Sequence, residues 1–457
     1  MAGIGFELRR MLKKDRLLSL AKVYGYSAIL SSGPWVISIV AIIAVGFINL
    51  ATFGTVDETS KFQIVITYAI ALASSLIVTG ILQLPFTRYV ADLIYLHRED
   101  EILPSYFGAI FIAWLLGLPF VTPLVFYVFQ EQSAFFIMGV ISTFLVLCGV
   151  WISSILASSL KYYHGVVWSY FIAYFFIILF SYLVGDTIEK LIYVFFFGNA
   201  VLFIILMTLI IKSYDSHIFM QVSFFIEPNF YWSLAIAGLA YNLGAWVDKF
   251  IFWYHPLTGY EVIGKLHASV VYDMPIFLAY LSILPGMAMF FFRLETDFAE
   301  KYDLYYDAIR TGGTLSIIQR YRNEMVDVIR HSIHEIFIVQ GIINILLYIT
   351  APLLFEAMKI PQLYLGLLHI LTVGAMLQLG FMSILALLYY LDRKIVAMWL
   401  AIAFFVSNTI LTLISIQMGP EMFGYGYTVS LLLVFLASLI VIRKEMDKLN
   451  YETFMLQ

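Results

Sequence analysis

Between Val23 and Val56 the chain carries no charged residue at all. A helix needs about 20 mostly apolar residues to cross the hydrocarbon core of a bilayer, about 30 Å thick. This run exceeds that and is too long for a signal-peptide core. Six basic residues precede it, so it reads as a retained first helix over about 25–53. The pattern recurs at about 62–86, 104–129, 134–160, 166–185 and 190–211. A second group follows at about 229–254, 268–292, 333–356, 361–390, 395–418 and 424–442, making twelve expected spans. Short polar stretches such as His97-Arg98-Glu99-Asp100-Glu101 and Asp392-Arg393-Lys394 separate them.

Composition closes the alternative of several soluble domains. Of the 457 residues 62% are hydrophobic and 12% charged, against about 25% charged in an average soluble protein. That is too little polar surface to cover a soluble chain of this size, so lipid is its solvent. The net charge of −4 leaves no basic footprint for nucleic acid. A single cysteine, Cys148, excludes an intrachain disulfide. The expected fold class is an all-α polytopic membrane protein of about twelve transmembrane helices.

Positively charged residues collect on cytoplasmic loops. With twelve spans and both termini cytoplasmic, the inner segments hold 21 Lys and Arg and the outer loops hold 4. Lys249, inside a span, completes the total of 26. An error of one span would scramble this split, so it supports both the count and the orientation.

Residues 1–22 mix Ile4, Phe6, Leu8, Met11, Leu12, Leu17 and Leu18 with basic residues. They suit a cytoplasmic amphipathic helix against anionic headgroups or against a partner. The amphipathic segment 212–228 divides an N-terminal lobe (23–211) from a C-terminal lobe (229–442), six spans each, and 443–457 forms a cytoplasmic tail. Such a division is the layout of transporters built from two repeats. The longest polar segment, 294–332, holds two helix-like stretches around Thr311-Gly312-Gly313. It is either a solvated helical pair tying spans eight and nine together or a docking surface for a cytoplasmic partner. In the docking reading the contact residues are Arg310, Arg320, Arg322 and Arg330, with Arg9 and Arg10 of the N-terminal segment.

Catalytic and metal chemistry is hard to place. Gly259 to Lys265 fits G-x-x-x-x-G-K, but Leu266 stands where a P-loop needs Ser or Thr for magnesium. His331, His334 and Glu335 share one helix side, a spacing that could ligate a metal, yet no second ligand cluster accompanies them. No metal, cofactor or enzymatic activity is expected. A polytopic membrane glycosyltransferase remains the enzyme alternative; its acidic residues would sit on sizeable outer loops, whereas here the first outer loop is short, with Asp57 and Glu58.

Charges within spans are the sharper signal, since burying one in hydrocarbon costs from about 2.5 kcal/mol upward. Asp248 and Lys249 lie in span seven, Asp273 near the outer end of span eight. Adjacent helical residues point about 100° apart, so Asp248 and Lys249 are expected not to neutralise each other simply, and Asp248 is expected to approach Asp273. A structural salt bridge and a coupling-cation or substrate site are the two readings. Asn242 lies near the other side of the same helix. Arg88 and Asp92, spaced i, i+4 after Pro85, form an ordinary helical ion pair, or Arg88 meets a substrate phosphate at the inner vestibule. Arg293 carries the same two readings. Gly33-Pro34, Gly117-Leu-Pro119, Pro275 and Pro285 break helices, which is tolerated where neighbours or a cavity satisfy the freed backbone.

The opening Met1-Ala-Gly-Ile-Gly-Phe-Glu-Leu-Arg9, the Tyr24-Gly-Tyr-Ser-Ala run and Ser-Ser-Gly33-Pro34-Trp35 resemble the PelG family, inner-membrane transport components of Pel exopolysaccharide systems. The resemblance implies the multidrug/oligosaccharidyl-lipid/polysaccharide superfamily fold, with two six-helix lobes around a central cavity. It implies a bacterial inner-membrane location and a role in biofilm polysaccharide export. It implies three partners: a cytosolic glycosyltransferase (PelF-like) and membrane proteins like PelD and PelE, PelD being a cyclic di-GMP receptor. The implied cargo is an N-acetylgalactosamine-rich polymer. The alternative on the same fold is a cation-coupled flippase or exporter of lipid-linked sugar or small molecules, with Asp248 or Asp273 as the coupling group.

Overall fold

The computed structural model describes residues 36–49, 51–54, 56–66, 72–159, 163–226, 230–357 and 361–455. Arg9, Arg10, the N-terminal segment and the Gly33-Pro34-Trp35 run lie outside them. Among the described residues, eleven helices are long and apolar enough to cross a membrane. The chain divides into two compact units, one spanning Gly33–Ser269 and one holding Val270–Gln457.

In the first unit α1 covers Val36–Phe53. It is followed by α2 (Val56–Ile64), α3 (Leu72–Tyr95), α4 (Ile102–Val128), α5 (Ala134–Ser159), α6 (Tyr163–Val184) and α7 (Ile188–Ile211). The short α8 (Ser223–Ile226) and α9 (Trp232–Tyr254) follow. Span two, expected over 62–86, is displaced: the spanning helix is α3, so Arg88 and Asp92 are helical. The i, i+4 ion pair extends the helix past its apolar part, and Pro85 is accommodated inside it. The one expected span missing from these eleven, span seven, is α9. It falls short of the apolarity of the others because Asn242, Asp248 and Lys249 interrupt it, but its 23 residues reach about 34 Å at 1.5 Å per residue.

The core of this unit is aliphatic with large aromatic side chains set into it. Phe62, Tyr106, Phe144 and Phe195 are fully enclosed, while Phe171, Phe175 and Phe180 stand out on the lipid-facing side of α6. Helices α3 and α9 cross at Gly80 and Gly238, where a Cβ on either residue would overlap the facing helix. Small residues let backbones approach this closely in a membrane, and a polar side chain then bonds across the seam. Asn242 does so, its Nδ2 donating to the Leu76 carbonyl oxygen at 3.0 Å.

Among the described residues the all-helical expectation has one exception. Residues 260–268 form an antiparallel hairpin of β1 (Tyr260–Ile263) and β2 (Leu266–Ala268). Gly264 turns it with φ +56°. The hairpin docks on the end of α4: the Lys265 N–H donates to the Val128 carbonyl oxygen at 2.8 Å, and the Lys265 ammonium lies 3.8 Å from the Tyr127 ring centroid. The G-x-x-x-x-G-K string is thus a hairpin turn and not a phosphate loop, which would open a helix.

The second unit contains α10 (Val270–Ser282), α11 (Leu284–Arg293), a π-turn over Leu294–Phe298, α12 (Ala299–Arg310), α13 (Leu315–Ala357), α14 (Leu365–Tyr390), α15 (Lys394–Gln417) and α16 (Tyr425–Met455). Helix α14 is the centre, with 72% of its apolar stretch buried, against 17% in α13. The segment 294–332 is a helical pair broken at Gly312, whose φ is +71°. The break was expected; the continuity was not. Helix α13 runs 43 residues without interruption, about 65 Å, roughly twice the hydrocarbon thickness. Its first half therefore projects from the membrane and pairs with α12. The Lys301 ammonium meets Glu324 at 2.8 Å, and the Tyr305 hydroxyl donates to Asn450 Oδ1 at 2.9 Å. The described part of the tail, 443–455, accordingly continues α16, and Asn450 in it packs on this hairpin.

Candidate functional site

Asp248 and Lys249 are both buried in α9, at 0% and 2% side-chain exposure. The Lys249 ammonium sits 3.2 and 3.1 Å from the two carboxylate oxygens of Asp248 and donates to the Ala245 carbonyl oxygen at 2.8 Å. The Trp246 ring lies 5.8 Å from the ammonium. The expectation that adjacent residues cannot neutralise each other is corrected. Their Cβ bonds diverge, but the lysine stem is long enough to fold its ammonium back over the preceding carboxylate. Asp273 is buried in the first turn of α10, where the positive end of the helix dipole favours a carboxylate. It belongs to the second unit and Asp248 to the first.

At the end of α3, Arg88 Nε lies 3.2 Å from Asp92 Oδ1. The Tyr231 hydroxyl donates to Asp92 Oδ2 at 2.6 Å, and the Arg88 guanidinium lies 6.0 Å from the Tyr231 ring centroid. Burial, and next the Asp92 carboxylate, push the Tyr231 hydroxyl above the usual phenol range, so it stays a donor. This third member, 139 residues from Asp92 in sequence, is invisible to a search for helical spacing. The only local signal is the aromatic string Phe230-Tyr231-Trp232.

Asp92 and Tyr231 also border a cleft of about 300 Å³ between the end of α3 and the segment leading into α9. Tyr89, Phe224, Phe230 and Tyr231 supply its aromatic walls, and Asp92 and Arg98 its charged rim. The residues of 212–228 that the structure describes are mostly irregular, and they are held to α3 and α4. The Gln221 N–H donates to the Pro104 carbonyl oxygen at 3.0 Å. The Phe219 ring stacks on Phe107 at 5.1 Å, and Phe224 meets Phe86 and Tyr89 at 5.7 and 5.8 Å.

In the second unit Arg293 grips Glu335 with two parallel bonds, Nε to Oε2 at 2.6 Å and Nη2 to Oε1 at 2.7 Å. Its Nη1 donates to Asp297. Glu335, considered above with His331 and His334 as a metal ligand, is thereby engaged by a guanidinium. A polar core that sequence reasoning missed lies deeper: Gln340 Nε2 donates to the Ser282 carbonyl oxygen at 3.0 Å, and the Tyr427 hydroxyl to Gln378 Oε1 at 2.6 Å. On the projecting hairpin, Arg310 pairs with Asp307, Arg320 with Glu324 at 2.9 Å, and Arg330 with Asp327 at 3.9 Å. Arg322 donates to Asn323 Oδ1 at 2.9 Å.

Spanning helices in this order make a multi-pass membrane protein, and its fold is shared with solved transporters of the MOP superfamily. A MOP superfamily transporter from Pyrococcus furiosus superposes with a TM-score of 0.63 over 93% of this chain and 96% of its own, at 11% identity. A MATE protein in complex with MaL6 gives 0.65 over 93% and 97%, at 12% identity. An outward-facing multidrug resistance MATE family transporter gives 0.57 over 93% and 96%, at 14% identity. No curated protein matches the chain. Residues 1–454 match the PelG exopolysaccharide exporter (EPS-E) family, and the chain belongs to that family.

Proposed function

We propose that this protein carries nascent exopolysaccharide, Pel-like and rich in N-acetylgalactosamine, across the bacterial inner membrane. The observation that carries the reading is the family match, which extends over residues 1–454 and so over both units. Both termini face the cytoplasm, as the distribution of Lys and Arg favours. A cytosolic glycosyltransferase feeds the growing chain, and membrane partners like PelD and PelE hold it in place. The projecting α12–α13 hairpin is the docking surface on this side.

The electrostatics support a neutral or weakly charged cargo. Three opposite-charge pairs placed in or at the ends of spans by the sequence are closed within one unit: Asp248 with Lys249, Arg88 with Asp92, Arg293 with Glu335. The Lys249 ammonium stands on Asp248 where a coupling cation would bind, so polymer elongation is the favoured drive over ion exchange.

The test is polymer synthesis in inverted membrane vesicles holding the glycosyltransferase and its membrane partners, with and without this chain. Polymer reaching the lumen only when the chain is present supports transport. Equal delivery without it would sink the reading. Collapsing the ion gradients then separates synthesis-driven from cation-coupled movement.

A further inference from the structure

The cleft at the end of α3 has the chemistry of a carbohydrate site. A sugar ring offers apolar C–H faces and a rim of hydroxyls, to which an N-acetylated sugar adds an amide. A protein holds such a ring between flat aromatic surfaces, with a few charged groups at the edge to fix its orientation. The cleft supplies both. Tyr89 and Phe224 pack on each other, 5.8 Å between ring centroids, as one aromatic wall, and Tyr95, 78% exposed, lines the opening and offers the face on which a sugar can lie. The Asp92 carboxylate and the Arg98 guanidinium border the same space.

Three features separate this cleft from an acyl-chain crevice between helices. Its lining is polar and apolar in similar measure, whereas a lipid-tail groove would be apolar throughout. Its carboxylate is preorganised, because the Tyr231 hydroxyl and Arg88 fix both oxygens of Asp92. Its volume of about 300 Å³ lies at the lower end of ordinary ligand pockets and has room for a single hexosamine residue. One wall is α3 and the other is the segment entering α9, and the Tyr89 hydroxyl lies 3.3 Å from Ser223 Oγ across them.

We infer that this cleft binds one N-acetylhexosamine residue of the polymer, stacking it on the tyrosine faces and orienting it with Asp92 and Arg98. The inference rests on the transport reading above and adds to it a place and a chemistry for the first contact. On the orientation given by Lys and Arg, the cleft opens toward the cytoplasm, where a synthase releases polymer.

The experiment measures binding of an N-acetylgalactosamine tetrasaccharide to the purified full chain in lipid nanodiscs, by saturation-transfer NMR and calorimetry. Tyr95→Ala removes an exposed ring that the fold does not need, and Asp92→Asn removes the charge but keeps the shape. Each is expected to weaken binding about tenfold, the loss of roughly one aromatic or charged contact. Trp399→Ala, which removes an exposed aromatic on α15 of the other unit, is expected to bind as the native chain does. Native affinity in both cleft variants overturns the inference, as does absence of millimolar binding to the native chain. If vesicles still fill with polymer in either case, the transport reading stands without the site. If binding follows the cleft variants but no polymer crosses, the site stands and the transport reading falls.

Discussion

Lys249 neutralises Asp248 from the adjacent position of the same helix, its ammonium 3.1 Å from Oδ2 with both side chains buried. Neutralisation within one helix lets α9 bring both charges into the membrane together as a pair. It also explains how a helix with two charged side chains in its C-terminal half packs as tightly on α3 as the glycine crossing requires.

Breaking the pair should therefore cost far more than deleting it. Lys249→Met leaves an isolated buried carboxylate and Asp248→Asn an isolated ammonium, each destabilising by about 3–5 kcal/mol. The double variant Asp248→Asn/Lys249→Met is expected to lie within about 1 kcal/mol of the native chain. Thermal unfolding in detergent, followed by loss of the monodisperse peak, reads the difference. A double variant as unstable as its worse single parent would show that the pair has a further obligatory partner.

The crossing of α3 and α9 predicts an asymmetry between two glycines. A Cβ at Gly238 overlaps the Gly80 carbonyl oxygen, which is backbone and cannot swing away. Gly238→Ala should thus separate the helices, strain the Asn242 bond to Leu76 and destabilise by about 1–3 kcal/mol. Gly341, inside α13, has nothing within 4 Å of its would-be Cβ. Gly341→Ala should be neutral or stabilise by up to about 1 kcal/mol, through helix propensity. The same unfolding assay checks both, and equal effects would contradict the close crossing.

Arg293 offers a test of geometry against charge. Its fork joins α11 to α13 through Glu335 across the π-turn. Lysine preserves the charge but cannot present two parallel donors. Arg293→Lys is expected to cost about 1–2 kcal/mol, and a double-mutant cycle with Glu335→Gln to return a coupling of about 1 kcal/mol or more. Coupling near zero would mean that solvent screens the pair.

These sites differ in how far they can be read from the chain. The first helix is announced by its lack of charge, and Arg88–Asp92 by its i, i+4 spacing. Span seven is recognisable by position and length although its charges depress its hydropathy. The projecting half of α13 is polar and reads as a loop, because nothing local says that the helix of span nine has already begun. Arg293 and Glu335 lie 42 residues apart and looked like two unrelated candidates, one for a vestibule and one for a metal. Tyr231 and the cleft exist only because the segment before α9 folds back on α3, a tertiary event with no periodicity to reveal it.

The arginines of the projecting hairpin yield the last prediction. Arg320 and Arg330 are 76% and 75% exposed, and ion pairs so exposed contribute about 0–1 kcal/mol. They can exchange their intrahelical partners for carboxylates of a docked glycosyltransferase at little loss. Replacing Arg320, Arg322 and Arg330 by Glu should change stability by only about 0.5 kcal/mol each, because Lys301–Glu324 and Tyr305–Asn450 still hold the hairpin. Recovery of the glycosyltransferase in a pull-down should nevertheless collapse. The native interaction should weaken as the screening length shortens from about 10 Å at 0.1 M salt to about 3 Å at 1 M. Unchanged recovery in the triple variant, at low salt, would leave the hairpin as intramolecular packing and move the docking surface elsewhere on the chain.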